Sequence, residues 1–326
     1  LKGEEAYLFA KIAIMEYLTS GITSAFDMYI YPKEVIQACV DCGFRIVQVS
    51  GLNNFTSSLE ELEEQYVTYN DYHELCSYKL GFHAEYTTDK KLLEGLAGLS
   101  EKYHAPVYTH NSETKREVEE CRQRYGKSPT QLFEEMGLYR YGGGGYHCIW
   151  FDDEDIDIFA KRQLSVVTNP ASNLKLASGI APLKKMQEAG INLAIGTDGP
   201  ASNNCLDMFR EMFLVTGLAK LREHDAAVMD ANDVLYMATT GGAKAMGLSD
   251  CDCLAVGKKA DLFLMDLMQP NMQPEHNLTK NLVYSGSKQN VKLTMVNGKI
   301  LYEDGQFFIS EEPQEIYKKA NEIVSR

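Results

Sequence analysis

The sequence predicts an α/β fold built around a (β/α)8 barrel of the TIM type, followed by a small C-terminal β unit. Short apolar runs alternate with amphipathic helical stretches, and polar residues follow the ends of these runs one after another. Repeated strand–helix units form parallel sheets. A doubly wound sheet would place ligands only near a switch point, so polar residues after many consecutive strands favour the barrel.

Length and composition limit the class of protein further. The chain has 326 residues, is 44% hydrophobic and carries a net charge of −14. This is enough apolar content for a substantial core, and the negative charge argues against nucleic acid and anionic membranes as main partners. No apolar run is long enough for a transmembrane helix, and no secretory signal opens the chain. The scattered cysteines are predicted to be reduced thiols of a cytoplasmic protein.

The periodicity predicts seven barrel strands, one fewer than a closed barrel needs. They are Thr23–Tyr29, Arg45–Ser50, Lys79–His83, Val107–His110, Tyr146–Trp150, Leu164–Thr168 and Asn192–Thr197. The intervening helices are Ser58–Asp71, Asp89–Lys102, Glu113–Arg124, Asp153–Arg162 and Pro182–Glu188. Because Leu1 opens directly into a helical pattern, we expect the first barrel strand to precede it. A sheet lacking that strand exposes an edge, so self-association as a homo-oligomer or low stability is expected.

The change of pattern after residue 245 predicts three segments. Residues 1–245 form the hydrolase-type barrel with strands 2–8, residues 246–312 form part of a composite β-sandwich, and residues 313–326 form a C-terminal helix. The turn signal Val296-Asn297-Gly298-Lys299 predicts a hairpin in the second segment. The tract Gly142–Gly145 is predicted to be a loop, since it lacks the Lys-Ser/Thr of a phosphate-binding loop and precedes a strand.

Three of the seven histidines lie in or at the ends of predicted strands, and Asp198 directly follows another. These histidines are His83, His110 and His147. Neutral imidazole and carboxylate are the usual ligands of zinc, which lowers the pKa of a bound water to about 7. Glu113, just beyond His110, is placed to move protons as a carboxylate that does not bind the metal.

Each of these residues also has an ordinary structural explanation. A histidine at a strand end often lies in the core with its hydrogen bonds satisfied. Asp198 in T-D-G-P could form a turn or cap a helix, and Glu113 could be a first-turn carboxylate favoured by the helix dipole. The residues alone therefore predict a metal-dependent or acid–base barrel enzyme.

The ordered motifs resemble the amidohydrolase superfamily, in its branch of S-adenosylhomocysteine/methylthioadenosine deaminases, guanine deaminases and triazine chlorohydrolases. The motifs are S-G-I-T-S-A-F-D-M-Y, G-F-H-A-E-Y-T, T-H-N-S-E-T, Y-H-C-I-W-F, V-V-T-N-P-A-S-N-L-K-L-A-S-G-I-A-P and A-I-G-T-D-G-P-A-S-N-N. The resemblance covers nearly the whole chain. It implies hydrolytic deamination of an adenosine-like or other purine-type small molecule, with one divalent metal, zinc or alternatively iron.

The resemblance also implies roles for individual residues. His110 and Asp198 bind the metal, and Asp198 also takes part in proton transfer. Glu113 relays protons and contacts substrate, and His147 contacts the attacking water and the tetrahedral intermediate. His83 contacts substrate. Trp150, the last residue of a predicted strand, and Asn173, beyond the end of the next one, are further candidates for substrate contacts, although Trp150 could instead only pack.

One departure from the family pattern limits these expectations. The first-strand motif, two metal histidines separated by one residue, is absent, because no two of the seven histidines are two positions apart. We therefore expect this chain alone to be poor in metal and inactive. Guanine deamination, triazine dechlorination and a non-catalytic barrel remnant that only binds a ligand or partner remain alternatives. Glu85 places an additional carboxylate near the predicted barrel mouth.

Overall fold

Seven parallel strands form one curved sheet in the order β1 to β7, as the alternating pattern predicts. The computed structural model describes residues 2–326. The strands are Ser24–Asp27, Arg45–Val49, Cys76–Phe82, Val107–Asn111, Gly143–His147, Ser165–Thr168 and Asn192–Ile195. Within the described residues β1 and β7 each pair with a neighbour on one side only, so the barrel is open between them.

Helices follow the strands and cover the outer face of the sheet. Those up to the end of the barrel, α1 to α13, are Gly3–Thr19, Pro32–Cys42, Leu59–Asn70, Lys90–Tyr103, Lys115–Tyr125, Pro129–Glu135, Asp153–Arg162, Pro170–Lys175, Leu183–Glu188, Pro200–Asn203, Met208–Glu223, Ala231–Tyr236 and Gly242–Met246. Apolar side chains of the outer face and the helices form the largest core cluster. A smaller cluster, which includes Val49, Tyr108 and Val167, fills the barrel interior.

The glycine tract before His147 corrects one prediction. Gly143–His147 is strand β5, so the predicted loop at 142–145 is wrong, and the predicted strand Tyr146–Trp150 is placed too late. A Cβ on Gly143 would lie 1.9 Å from the carbonyl oxygen of Val107. A Cβ on Gly144 would lie 2.3 Å from the carbonyl oxygen of Ser165. Neighbouring backbones therefore approach β5 closely enough to require glycine.

A four-stranded antiparallel sheet follows the barrel in the chain. Its strands, β8 to β11, are Leu262–Met265, Val291–Val296, Lys299–Glu303 and Gln306–Phe307. The predicted hairpin is present between β9 and β10, with Asn297 and Gly298 at φ of 50° and 78°. The additional helix α14, Leu278–Tyr284, lies between β8 and β9 and was not predicted.

A buried ion pair fastens the antiparallel sheet to the barrel. The guanidinium of Arg45 in β2 contacts both carboxylate oxygens of Asp261, at 2.5 and 2.9 Å. Both side chains are 2% exposed. Asp261 also accepts a hydrogen bond from the backbone N–H of Asn297, so one carboxylate links the barrel to the hairpin turn.

The C-terminal helix α15, Pro313–Val324, packs against α1. Ile316 and Ala320 contact Leu8 and Met15 in a separate apolar cluster. The helix agrees closely with the predicted span. No helix within residues 2–326 combines the length and apolar character that crossing a bilayer requires.

Candidate active site at the strand ends

The three strand-end histidines lie side by side. The ring centroid of His110 is 5.1 Å from that of His83 and 5.5 Å from that of His147. His110 therefore occupies the middle of the group, between the ends of β3 and β5. The chain brings together residues that are 64 positions apart because parallel strands all end at one edge of the sheet.

His110 is half-buried and neutral. Burial, together with the neighbouring His147 and His83, lowers the pKa of its imidazole to about 3, against the opposing effect of Asp198. Its Nδ1 lies 2.9 Å from the carbonyl oxygen of His83, an acceptor only, so Nδ1 carries the proton. Nε2 consequently keeps its lone pair, which is the form of histidine that binds metals.

Asp198 is held as a carboxylate by two donors. The Ser172 hydroxyl donates to Oδ2 at 2.6 Å and the Gly199 N–H donates to Oδ1 at 2.7 Å. Burial raises the pKa of this carboxyl, but the Ser172 bond, the charge of His147 and the Gly199 bond outweigh burial and lower the pKa overall. Ser172 belongs to the N-P-A-S-N motif, yet its pairing with Asp198 was not predicted.

Glu113 lies before α5 and not in its first turn, which corrects the predicted start of that helix. Thr114 is the N-cap, and α5 begins at Lys115. The backbone N–H of Glu113 donates to the Glu117 carboxylate, and its own Oε1 accepts from the Ser178 hydroxyl at 3.0 Å. Its Oε2 lies 3.9 Å from Nε2 of His147. The helix-dipole explanation therefore does not account for the position of Glu113.

His147 stands between the two carboxylates. Its Nε2 is 3.9 Å from Glu113 Oε2 and 4.0 Å from Asp198 Oδ2. Its Nδ1 lies 2.7 Å from Oδ1 of Asn173, which can only accept, so this bond fixes the ring. Asn173 is 2% exposed, and its side chain contacts His147 inside the protein.

Several residues at these strand ends have a strained backbone. Ser112, His147, Cys148 and Asp198 have φ angles of 51°, 68°, 51° and 58°, in the left-handed region that non-glycine residues rarely adopt. Each such residue costs about 1–3 kcal/mol and persists where the surrounding structure enforces it, often at functional sites. Three different strand ends carry this strain, which favours a functional explanation for the cluster.

Two further residues considered from the sequence lie in different surroundings. The indole N–H of Trp150 donates to the carbonyl of Ser178 at 2.9 Å, and the ring is 39% exposed. Trp150 is thus linked to Glu113 through Ser178. Glu85 is buried and forms an ion pair with Arg124, so it does not present a free carboxylate at the mouth.

A cavity of about 770 Å³ opens between β1 and β7 and reaches the site. His110 and Asp198 both line it, together with Asp27, Tyr146 and Asn169. A neutral imidazole and an ionised carboxylate fit the donor chemistry of a zinc site. Among residues 2–326, however, no three His, Cys, Asp or Glu side chains are arranged to hold one metal ion. His110 and Asp198 are therefore two donors of suitable chemistry without a third among the described residues.

The fold and the strand-end cluster point to a hydrolase of the barrel type, and comparison with known proteins gives the family. Residues 1–301 match the Amidohydrolase family model. The chain belongs to the amidohydrolase family.

Individual relatives are similar over almost the whole chain. The 5-methylthioadenosine/S-adenosylhomocysteine deaminase of Thermoanaerobacter pseudethanolicus is 35% identical, over 100% of this chain and 78% of its own. The 5'-deoxyadenosine deaminase of Methanothermobacter thermautotrophicus is 36% identical, over 96% of this chain and 74% of its own. The crystal structure of an adenosine deaminase from Xanthomonas campestris with bound zinc is 32% identical, with a TM-score of 0.94, over 100% of this chain and 76% of that one.

Proposed function

We propose that the site is that of a metal-dependent hydrolytic deaminase acting on an adenosine-like nucleoside. One observation carries the proposal: His147 lies between the carboxylates of Glu113 and Asp198, beside the neutral ring of His110. Relatives named as deaminases of adenosine-type compounds support this substrate class over guanine and triazines. Zinc is the proposed ion, because a relative's structure contains it.

The metal shell of this chain would be His110 and Asp198. Nε2 of His110 is free of its proton, and Asp198 is ionised, as described above. A divalent metal, when bound, supplies a water molecule of lowered pKa as the nucleophile. With two protein ligands the affinity should be low, since catalytic zinc sites normally use three.

Glu113 is the proposed proton carrier. Its Oε1 accepts a hydrogen bond from the Ser178 hydroxyl, and its Oε2 faces His147. Oε2 can take a proton from the attacking water and deliver it to a ring nitrogen of the heterocycle. The amine-bearing carbon gains an oxygen, its bond to nitrogen breaks, and ammonia leaves with the second proton.

His147 and its partners are proposed to stabilise the addition intermediate. Asn173 fixes the ring through Nδ1, so Nε2 is the atom directed at the reacting group. We propose that Asn173 acts through His147, since its side chain is buried. His83 remains a proposed substrate contact because its ring lies beside that of His110. Trp150 remains one because it is partly exposed and bonds to Ser178, whose hydroxyl holds Glu113.

Product analysis at a series of zinc concentrations tests the proposal. The protein is incubated with adenosine, 5'-deoxyadenosine, 5'-methylthioadenosine, guanine or atrazine, and ammonia and chloride are measured. Because the described residues offer only two metal ligands, we expect no activity without added zinc, and ammonia release from the adenosine compounds only at saturating zinc. Glu113→Gln should lower kcat by roughly 10²- to 10⁴-fold. The control Glu119→Gln changes an exposed carboxylate on α5 and should leave the rate unchanged.

The other outcomes separate the alternatives. Chloride from atrazine, or ammonia from guanine alone, would replace the proposed substrate class. Absence of every product at saturating zinc would favour a non-catalytic barrel that binds a ligand without turnover.

A further inference from the structure

A buried carboxylate on α11 lies behind the candidate site without belonging to it. Glu211 is 0% exposed. Its Oε2 accepts a hydrogen bond from the backbone N–H of Ala171 at 3.0 Å, and its Oε1 accepts one from the side-chain amide of Asn203 at 2.8 Å. Burying a carboxylate costs free energy, whereas an apolar side chain at the same position would not. Packing alone therefore does not explain why a glutamate occupies this position.

The first bond holds the start of α8. Ala171 is followed directly by Ser172 and Asn173. Ser172 donates to Asp198, and Asn173 accepts from His147, so the two residues after Ala171 each contact a member of the site. A shift of this helical turn would displace both contacts together.

The second bond holds the loop that carries Asp198, here called the Asp198 loop and defined as residues 196–204. The Asn203 amide nitrogen donates both to Glu211 and to the carbonyl of Thr197, at 2.7 Å to the latter. Thr197 directly precedes Asp198. The amide oxygen of Asn203 has no hydrogen-bond partner. Flipping the amide would place this oxygen against two acceptors, so Asn203 has one favourable orientation.

We infer that Glu211 is a positioning residue that holds α8 and the Asp198 loop in one fixed arrangement. Its two oxygens reach two separate segments, and both segments lead to Asp198. One segment provides the Ser172 donor and the other the backbone that precedes the carboxylate itself. Any effect of Glu211 on catalysis rests on the proposed function. Its role in holding α8 and the Asp198 loop does not.

Hydrogen–deuterium exchange measures the inference directly. Glu211→Gln keeps the shape of the side chain but has a single acceptor oxygen, so it can serve Ala171 or Asn203 but not both. Glu211→Ala serves neither. We expect exchange in residues 169–178 and in the Asp198 loop to accelerate at least tenfold in Glu211→Ala. In Glu211→Gln one of the two segments should accelerate clearly more than the other.

The matched control is Asp155→Asn. Asp155 on α7 is also 0% exposed and accepts hydrogen bonds from the Ser128 hydroxyl and the Asp152 N–H, but it contacts neither segment. Exchange in both segments should stay at the wild-type rate in this variant. If Glu211→Ala does not fold, the isosteric Glu211→Gln carries the test alone. Wild-type exchange in both segments of a folded Glu211 variant, or equal acceleration in Asp155→Asn, overturns the inference.

Zinc affinity and kinetics provide the second readout. Residues that orient metal ligands through hydrogen bonds typically change affinity or activity 10- to 100-fold when substituted. We expect Glu211→Ala to weaken zinc in chelator competition by about tenfold or more and to lower kcat more than it raises KM, with Glu211→Gln intermediate. If wild-type protein releases no ammonia, the proposed function fails while exchange and zinc affinity still decide the role of Glu211. Unchanged zinc affinity in Glu211→Ala would contradict that role.

Discussion

Nδ1 of His147 donates a hydrogen bond to Oδ1 of Asn173 across 2.7 Å, and this bond joins the end of β5 to α8. His147 has a φ of 68°, a backbone conformation that non-glycine residues rarely adopt, so contacts elsewhere in the protein must hold this residue in place. The orientation of Nε2 towards Glu113 and Asp198 therefore depends on a partner 26 residues later in the chain.

Replacing Asn173 should reduce turnover. Asn173→Ala removes the acceptor, so the imidazole loses its fixed orientation, and kcat should fall roughly 10- to 100-fold in zinc-supplemented initial-rate measurements. Asn173→Asp retains an acceptor oxygen and should recover most of the rate. Asn290→Ala, which removes a buried amide near the antiparallel sheet, is the control. Equal rates in Asn173→Ala and wild type would show that His147 does not need this bond.

The ion pair between Arg45 and Asp261 should contribute strongly to stability. Removing one partner leaves a buried charge uncompensated, so Arg45→Met or Asp261→Asn should lower the free energy of unfolding by about 3–5 kcal/mol. Urea unfolding followed by circular dichroism measures this change. Lys90→Met breaks an exposed pair with Glu94 on α4 and should cost less than about 1 kcal/mol. Similar losses of unfolding free energy for both pairs would contradict a special contribution of the buried Arg45–Asp261 pair to stability.

The glycines of β5 should tolerate no side chain. Gly143→Ala places a Cβ against the Val107 carbonyl at a φ of 129°, so we expect a loss of about 3 kcal/mol or more in unfolding free energy. Gly98→Ala on α4 is the control, because open space surrounds its Cβ position. That variant should gain about 0.5–1 kcal/mol from helix propensity. A stable, unchanged Gly143→Ala protein would argue against β5 as described.

Asp155 should make stability fall as pH rises. Burial raises the pKa of its carboxyl to about 6, well above its usual range, against the opposing hydrogen bonds from Ser128 and Asp152. Because the folded protein holds this proton more tightly than the unfolded chain, the contribution to stability is fully present below about pH 4 and is lost through about pH 6.

The matched experiment measures urea unfolding at pH 4, 5, 6 and 7. Asp155→Asn cannot titrate, so its free energy of unfolding should fall by about 2–3 kcal/mol less across this range than that of wild type. Asp153→Asn, which removes an exposed carboxylate from the same helix, is the control. Parallel pH curves for Asp155→Asn and wild type would disprove the effect.

Strand periodicity and turn chemistry predicted most of the architecture. The seven parallel strands follow from apolar runs separated by helices, and Asn297-Gly298 located the hairpin. Strand β5 was misplaced because a run of glycines shows no alternation of apolar and polar residues. The glycines are required by the close approach of the Val107 and Ser165 backbones, which exists only in the folded sheet.

The candidate site was predictable in its members but not in its contacts. The site residues lie at or just beyond the carboxyl ends of strands: His83, His110, His147 and Asp198. A parallel sheet brings these strand ends together irrespective of the conformation of the loops. The donors Ser172 and Ser178 and the carboxylate Glu211 depend on contacts across long stretches of chain. The prediction of an additional free carboxylate at Glu85 was wrong, because the Glu85 side chain is buried and paired with Arg124 of α5.

The indole of Trp150 has a spectroscopic consequence. The chain contains one tryptophan, and its N–H is bound to the carbonyl of the residue whose hydroxyl holds Glu113. Intrinsic fluorescence excited at the indole therefore originates from a single position beside the site. Emission intensity and wavelength can follow the arrival of a nucleoside in the unlabelled, unmodified protein.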